Sequence, residues 1–364
     1  GDFSVTYGKL INEKHMINTV GGMRLSQNGS DKSGYKVQGF IDDEFSSPAF
    51  ALGYQEDGKA TYMDSKNRAL SYYLNFGYSY DDRYMATFTM RRDGYSAFGS
   101  SNPYAYFPSG GLAWTFSNEK FFQPYTHIMS TGKLRVSFGK NGNRSLANPY
   151  EALANLYPGG GKMQGYITSS GDLYLMRYLM AQRMENPGLQ WEKTQSWNFA
   201  LDFGFLNDRI TGTLEYYRMS TKDMIMGQRL PNFTGFESIT TNLGQVDNNG
   251  LEIALNTLNI DNKNFQWSTT FSLSYNKNRI KHLYGDYEDI LDASGNVIGK
   301  KEADYVGNGW FIDRPISAIW DYKVTGIWQK DEVEEAKIYG QVPGDPKVWN
   351  NPANDEYDAD GNLK

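Results

Sequence analysis

From Ala69 to Phe116 the chain alternates between apolar and polar positions. Leu70, Tyr72, Leu74, Phe76, Tyr78 and Tyr80 are large and apolar or aromatic, whereas Ser71, Asn75, Gly77 and Ser79 are small or polar. Successive side chains of a strand point to opposite faces, so a period of two predicts a strand with one apolar and one wet face. Asp81-Asp82-Arg83 is the expected reversal. Tyr84, Ala86, Phe88 and Met90 then oppose Met85, Thr87, Thr89 and Arg91, and after a loop from Asp93 to Phe107 the pattern returns at Pro108, Gly110, Leu112, Trp114 and Phe116. Aromatic rings gather towards the ends of these segments, as in a sheet whose outer face crosses a membrane with its rings at headgroup level.

Similar alternation predicts strands at Phe3 to Ile11, Met16 to Leu25, Lys133 to Gly139, Thr194 to Phe205, Arg209 to Met219, Leu251 to Leu258, Phe265 to Tyr275 and Ala318 to Gln329, with one helical turn at NEKFFQPY. That makes about eleven strands, with short connections alternating with long ones. Long polar segments run from Ser26 to Arg68, Lys140 to Lys193 and Asn276 to Ser317. An up-and-down membrane barrel has short turns on one side and long loops on the other, whereas a soluble sandwich mixes lengths through Greek-key crossovers. The expected fold is all-β: a transmembrane antiparallel up-and-down β-barrel. An odd strand count, and the edges an open half-barrel would expose to lipid, point to a part of a larger barrel.

Composition agrees. The 364 residues include 27 Tyr, 20 Phe, 8 Trp and 38 Gly, yet the mean hydropathy is -0.62. No stretch approaches the roughly 18 apolar residues of a membrane helix, and a barrel needs none because only alternate residues face lipid. There is no Cys, which removes disulfides and thiolate sites. The net charge of -6 and the lack of a Lys/Arg cluster argue against nucleic acid.

Several blocks resemble a known family. RRDGYSAFG with NPYAYFPSGGLAWTFSNEKFF (Arg91 to Phe122), TGKLRVSFGKNGN (Thr131 to Asn143), the block from Asn186 to Ile225 and LPNFTGFESITTNLGQVDNNGLEI (Leu230 to Ile253) resemble, in the same order, the barrel of SusC/RagA-type TonB-dependent outer-membrane transporters. PGDPKV, from Pro343 to Val348, is similar to the family's PGD segment. The resemblance implies a bacterial outer-membrane barrel of roughly 22 strands, about half of them in this chain. It also implies an N-terminal plug and a TonB-contacting segment outside this chain, a SusD-like lipoprotein lid, and a possible dimer of the transporter–lipoprotein pair. The activity implied is active import of an oligosaccharide or oligopeptide. A siderophore receptor, a passive porin-like channel and a soluble adhesin are the rival readings.

Candidate chemistry is sparse. His15, His127 and His282 are expected in separate connections, and there is no HExxH, GxSxG or P-loop motif, so no enzyme is expected. Asp81-Asp82 and Asp42-Asp43-Glu44 read as solvated turn charges. Glu356, Asp358 and Asp360, alternating before Gly361, read either as a calcium loop lacking its first Asp or as an acidic hairpin turn. On the long-loop side, Tyr150, Tyr157, Tyr166, Tyr174 and Tyr178 suit stacking on sugars or clasping a peptide; packing of the loop against its neighbours or lid is the competing reading. Arg91 begins an expected outer loop as a further ligand contact, unless it pairs with the plug.

Overall fold

The computed structural model describes residues 1–349 except 43, 45, 46, 56–59, 145, 147, 159–163, 177, 178 and 293, and gives the backbone alone at 157, 158, 164–166, 175, 176 and 182. Ten strands form one sheet: β1 (Asp2–Ile11), β2 (His15–Gly34), β3 (Thr61–Tyr80), β4 (Tyr84–Tyr95), β5 (Tyr104–Trp114), β6 (Met129–Asn143), β7 (Glu192–Phe205), β8 (Ile210–Arg229), β9 (Ser238–Asp261) and β10 (Gln266–His282). Every strand pairs antiparallel with the strand before and after it in sequence, the order of an up-and-down meander.

Register aligns the apolar rows. Ile17 pairs with Tyr78, Tyr78 with Ala86, Ala86 with Leu112 and Leu112 with Val136. The row continues through Phe199, Tyr216, Leu251 and Tyr275. These side chains stay open rather than packed: Leu112 is 62% exposed and Tyr275 62%. So extensive an apolar field meets lipid in a membrane barrel. No helix among the described residues is long and apolar enough to cross a membrane, and the crossing elements are the strands.

Asp and Asn, which tolerate left-handed backbone, fill most positions of the tight turns. Asp81 and Asp82 have φ of 51° and 50°, and Leu206, Asn207 and Asp208 have 55°, 56° and 61°. Short polar Asp and Asn side chains lower the cost of that conformation. Asp208 is further fixed by Ser130 Oγ and Thr131 Oγ1, which donate to its Oδ1 at 2.6 and 3.0 Å.

Several sequence expectations need correction. The sheet has ten strands, because Ala318 to Gln329 is not a barrel strand: only Val324–Ile327 is extended, paired with Pro346–Val348 outside the sheet. The odd count therefore gives no argument for an incomplete chain. The polar segments taken as loops are partly strand, since β2 and β3 reach Gly34 and Thr61 and β9 starts at Ser238. A strand of 20 residues is roughly 66 Å long and, even tilted, outruns an apolar band about 25 Å tall. Its polar half stands in water on both faces. The segment after Lys140 also holds two short hairpins, 155–158 with 179–183 and 164–167 with 173–176. The connection after β5 carries two 3-10 turns, Phe116–Asn118 and Gln123–Tyr125.

A second compact unit comprises, among the described residues, 305–310 and 316–349. At its centre Trp328, 4% exposed, lies under Lys347, whose Nζ is 4.1 Å from the ring centroid. Its PGD segment closes a turn: the Asp345 carboxylate accepts the Val342 N–H at 3.0 Å, and the Trp328 carbonyl accepts the N–H of Gly344 at 2.9 Å.

Candidate ligand site on the lumen face

The face opposite the lipid rows is polar and cross-linked by charge. Arg135 on β6 donates from Nε and Nη2 to the two Asp202 oxygens on β7, both at 2.8 Å, and Thr213 on β8 donates to the same carboxylate at 3.0 Å. Asn198 donates to Glu215 beside them. Such a face suits the water-filled or plugged interior of a barrel.

Towards the long-loop end this face opens into a hollow of about 520 Å³. Register builds it: Arg24 pairs with Ser71, Ser71 with Asp93 and Asp93 with Ala105, so residues far apart in sequence share one row. Arg91 Nη2 donates to both oxygens of Asp93 at 3.1 Å. The Asp93 side chain is 12% exposed while that of Arg91 is 51% exposed. The carboxylate is thus consumed internally and the guanidinium still faces the hollow. Arg24 and Arg144 line it too, with Ser26, Asn28 and Asn141 as neutral polar neighbours. Three cations against one carboxylate give the hollow a positive excess.

Aromatic packing roofs the hollow. Trp191 lies 4.8 Å from Phe98, 5.5 Å from Phe107 and 6.4 Å from Tyr95, centroid to centroid, and Leu189 and Ala152 complete the cluster. The Arg144 guanidinium sits 5.4 Å from the Tyr95 ring centroid. Two loops are tied together here: Gly99 N–H donates to the Leu189 carbonyl at 2.9 Å and Ser101 N–H to that of Pro187 at 3.1 Å. Arg183 adds donors to the Tyr150 carbonyl at 2.7 Å, the Leu153 carbonyl at 3.1 Å and the Glu151 carboxylate at 3.4 Å. The outer loops near this face are thus a packed structure.

The expected ligand residues scatter. Arg91, together with Arg92 and Asp93, lies inside β4 and not in a loop, and among those of the six whose side chains are described only Arg91 lines the hollow. Tyr150 is a brace: its hydroxyl accepts the Lys66 N–H at 2.8 Å. Tyr166 and Tyr174 pair across a hairpin, where Tyr174 is 55% exposed, and Tyr157 lies in the other hairpin. Tyr178, Glu356, Asp358 and Asp360 lie outside the described residues. Arg24, Arg144 and Trp191 did not stand out in the sequence, because only strand pairing and loop packing bring them to Arg91.

The histidines are not all in connections. His15 opens β2 and its Nδ1 lies 2.8 Å from the Tyr78 hydroxyl, and His282 closes β10 beside Glu302 at 3.1 Å. No group of three metal-ligating side chains occurs among the described residues. A second hollow, of about 840 Å³, is lined by the lipid-facing Leu112, Leu134, Phe199 and Tyr216. With so few polar groups it belongs to the acyl-chain surface and not to a polar ligand.

Comparison with known proteins bears on the whole sheet. A family model described as TonB dependent receptor-like, beta-barrel matches residues 3–358. TonB-dependent receptor SusC of Bacteroides thetaiotaomicron is 30% identical over 302 residues, 80% of this chain and 29% of that protein. TonB-dependent receptor P26 of Formosa agariphila is 30% identical over 341 residues, 92% of this chain and 32% of that protein. The solved RagAB peptide importer in its closed-closed state is 25% identical, with a TM-score of 0.68 over 100% of this chain and 36% of that one. The chain spans about a third of the length of the relatives it matches.

Proposed function

Because the chain belongs to the TonB-dependent receptor β-barrel family of the bacterial outer membrane, we propose that it is part of a transporter that actively imports an oligopeptide or oligosaccharide. The plug and the remaining strands belong to the rest of the protein, and the outer edges of β1 and β10 along the apolar band pair with those strands, as lipid would tolerate no open edge. A SusD-like surface lipoprotein serves as lid, the transporter–lipoprotein pair forms a dimer, and TonB supplies the energy. The likeness to SusC and to a structure named a peptide importer supports this branch.

The observation that carries the reading is the positive hollow beneath the loops. Arg24, Arg91 and Arg144 offer fork-shaped donors matched to carboxylates, which favours an acidic ligand, peptide or sugar. Of the expected ligand contacts, Arg91 lines the hollow and Tyr174 is 55% exposed.

The test is uptake of a fluorescent acidic oligopeptide and of a uronic-acid oligosaccharide by cells carrying or lacking the full-length protein. Uptake of at least one that needs the protein and stops when the inner-membrane proton gradient is collapsed supports active import. Uptake that persists after collapse would make the protein a passive channel. A tagged protein that brings down no lipoprotein from detergent-solubilised membranes would remove the lid.

A further inference from the structure

We propose that the lipid-facing side of the barrel binds the phosphate groups of an anionic lipid in the outer leaflet, through a belt of cations just above the apolar band. On each strand the belt position is the outward residue that follows the last apolar one towards the long loops. It is Arg68 after Leu70 on β3, Arg92 after Met90 on β4, Lys140 after Phe138 on β6, Arg218 after Tyr216 on β8 and Lys277 after Tyr275 on β10. The strands between carry Gln27, Tyr106, Gln195 and Asn249 there. Five cations and four neutral residues share the level, and no carboxylate does.

Four of these cations are open to solution. Arg68, Lys140, Arg218 and Lys277 are exposed. The Arg68 guanidinium donates to the neutral Gln27, at 2.9 Å, and has no ion pair among the described residues. Arg218 is 67% exposed in its side chain, with Asp247 no nearer than 4.0 Å. Arg92 stacks 4.1 Å from the Tyr104 ring centroid and 5.7 Å from that of Tyr106, and its buried Nε has no hydrogen-bond partner among the described residues.

The opposite rim differs. There Arg83 is paired with Asp81 and, at 3.2 Å, with Glu119, and Glu119 also accepts from the rim aromatics Tyr84 and Trp114. Arg83 is thus neutralised by the chain itself, while the belt is left for an outside anion. A lipid with phosphate esters meets both halves of the surface: acyl chains lie on the leucine and aromatic rows and phosphates reach the belt. Guanidinium and ammonium groups are the phosphate donors of choice.

The probe is lipid A, a phosphorylated glycolipid, titrated onto the full-length protein in uncharged detergent and read by native mass spectrometry. Each surface cation contributes a factor of about five to anionic-lipid binding, so the Lys140→Gln, Arg218→Gln, Lys277→Gln triple variant is expected to bind on the order of a hundredfold more weakly. The triple variant Lys14→Gln, Lys120→Gln, Lys263→Gln, on the opposite side, is expected to bind as the unmodified protein does. Equal binding by the belt variant, or an equal loss in the control variant, would overturn the proposal. Inorganic phosphate bound as tightly as lipid A would overturn the assignment to a lipid. Should the belt variant fail to fold, the unmodified protein decides: affinity unchanged between about 50 mM and about 500 mM salt is incompatible with an exposed charge belt.

Discussion

Gly99 approaches Pro187 so closely that a methyl group on its Cα would lie 2.0 Å from the Pro187 carbonyl oxygen. This contact seats the loop after β4 against the segment before β7, above the lumen-side hollow. Gly99→Ala is expected to push the two loops apart at a cost of about 1–3 kcal/mol. Limited proteolysis should cut within residues 144–191 faster in the variant, while the barrel keeps its heat-resistant migration on gels. An unchanged cleavage rate would mean that the loops are not held there.

The bidentate Arg135–Asp202 pair ties β6 to β7 on the lumen wall. Arg135→Ala leaves Asp202 and Glu215 facing each other without their shared cation. Both are partly solvated, so the loss is expected to be about 1–2 kcal/mol, below that of a fully buried pair. Thermal unfolding in detergent measures it. The double variant with Asp202→Ala should lose less than the sum of the single losses.

Glu119 gives a pH dependence. Hydrogen bonds from the Tyr84 hydroxyl and the Trp114 indole, with Arg83 nearby, hold its carboxyl below the ordinary carboxylate range. A carboxylate whose pKa is lower in the folded state stabilises the fold above its unfolded pKa and loses that contribution as pH falls through the folded value. The melting temperature of the unmodified protein should therefore exceed that of Glu119→Gln near neutral pH, and the gap should close in acid. A gap of the same size at both ends contradicts this.

Arg91 should discriminate among ligands by charge. Arg91→Ala is expected to weaken uptake of an acidic oligopeptide about tenfold, the worth of one exposed charged contact of about 1.4 kcal/mol. Uptake of a neutral ligand of the same length should change little, and equal losses for both would place Arg91 in a structural role.

The barrel was legible where the two faces of a strand meet different solvents. Leu70 to Tyr80 alternates because one side meets lipid and the other the lumen, and the structure keeps that register. From Ser26 to Gly34 and from Ser238 to Asn249 both sides meet water or protein, so no period survives to mark the strand. Ala318 to Gln329 misled for the opposite reason. Its Trp320, Tyr322 and Val324 alternate with Asp321 and Lys323 like a strand, but the segment belongs to the small unit built around Trp328 and Lys347. The site was half legible: Arg91 lies in an alternating segment, but Arg24 joins it only through pairings across β2, β3 and β4, which no local pattern reveals.

Since every neighbour in the sheet is also a neighbour in the chain, a hairpin such as β3–β4, with its Asp81-Asp82 turn, is a self-contained stave. Its two strands find each other across three residues, and no distant segment must be threaded between them. Copying or deleting one stave would change the girth of the barrel by two strands and leave every other pairing as it was. The bore of such a protein is therefore open to evolution as a matter of counting, while the loops carried by each stave vary independently of it.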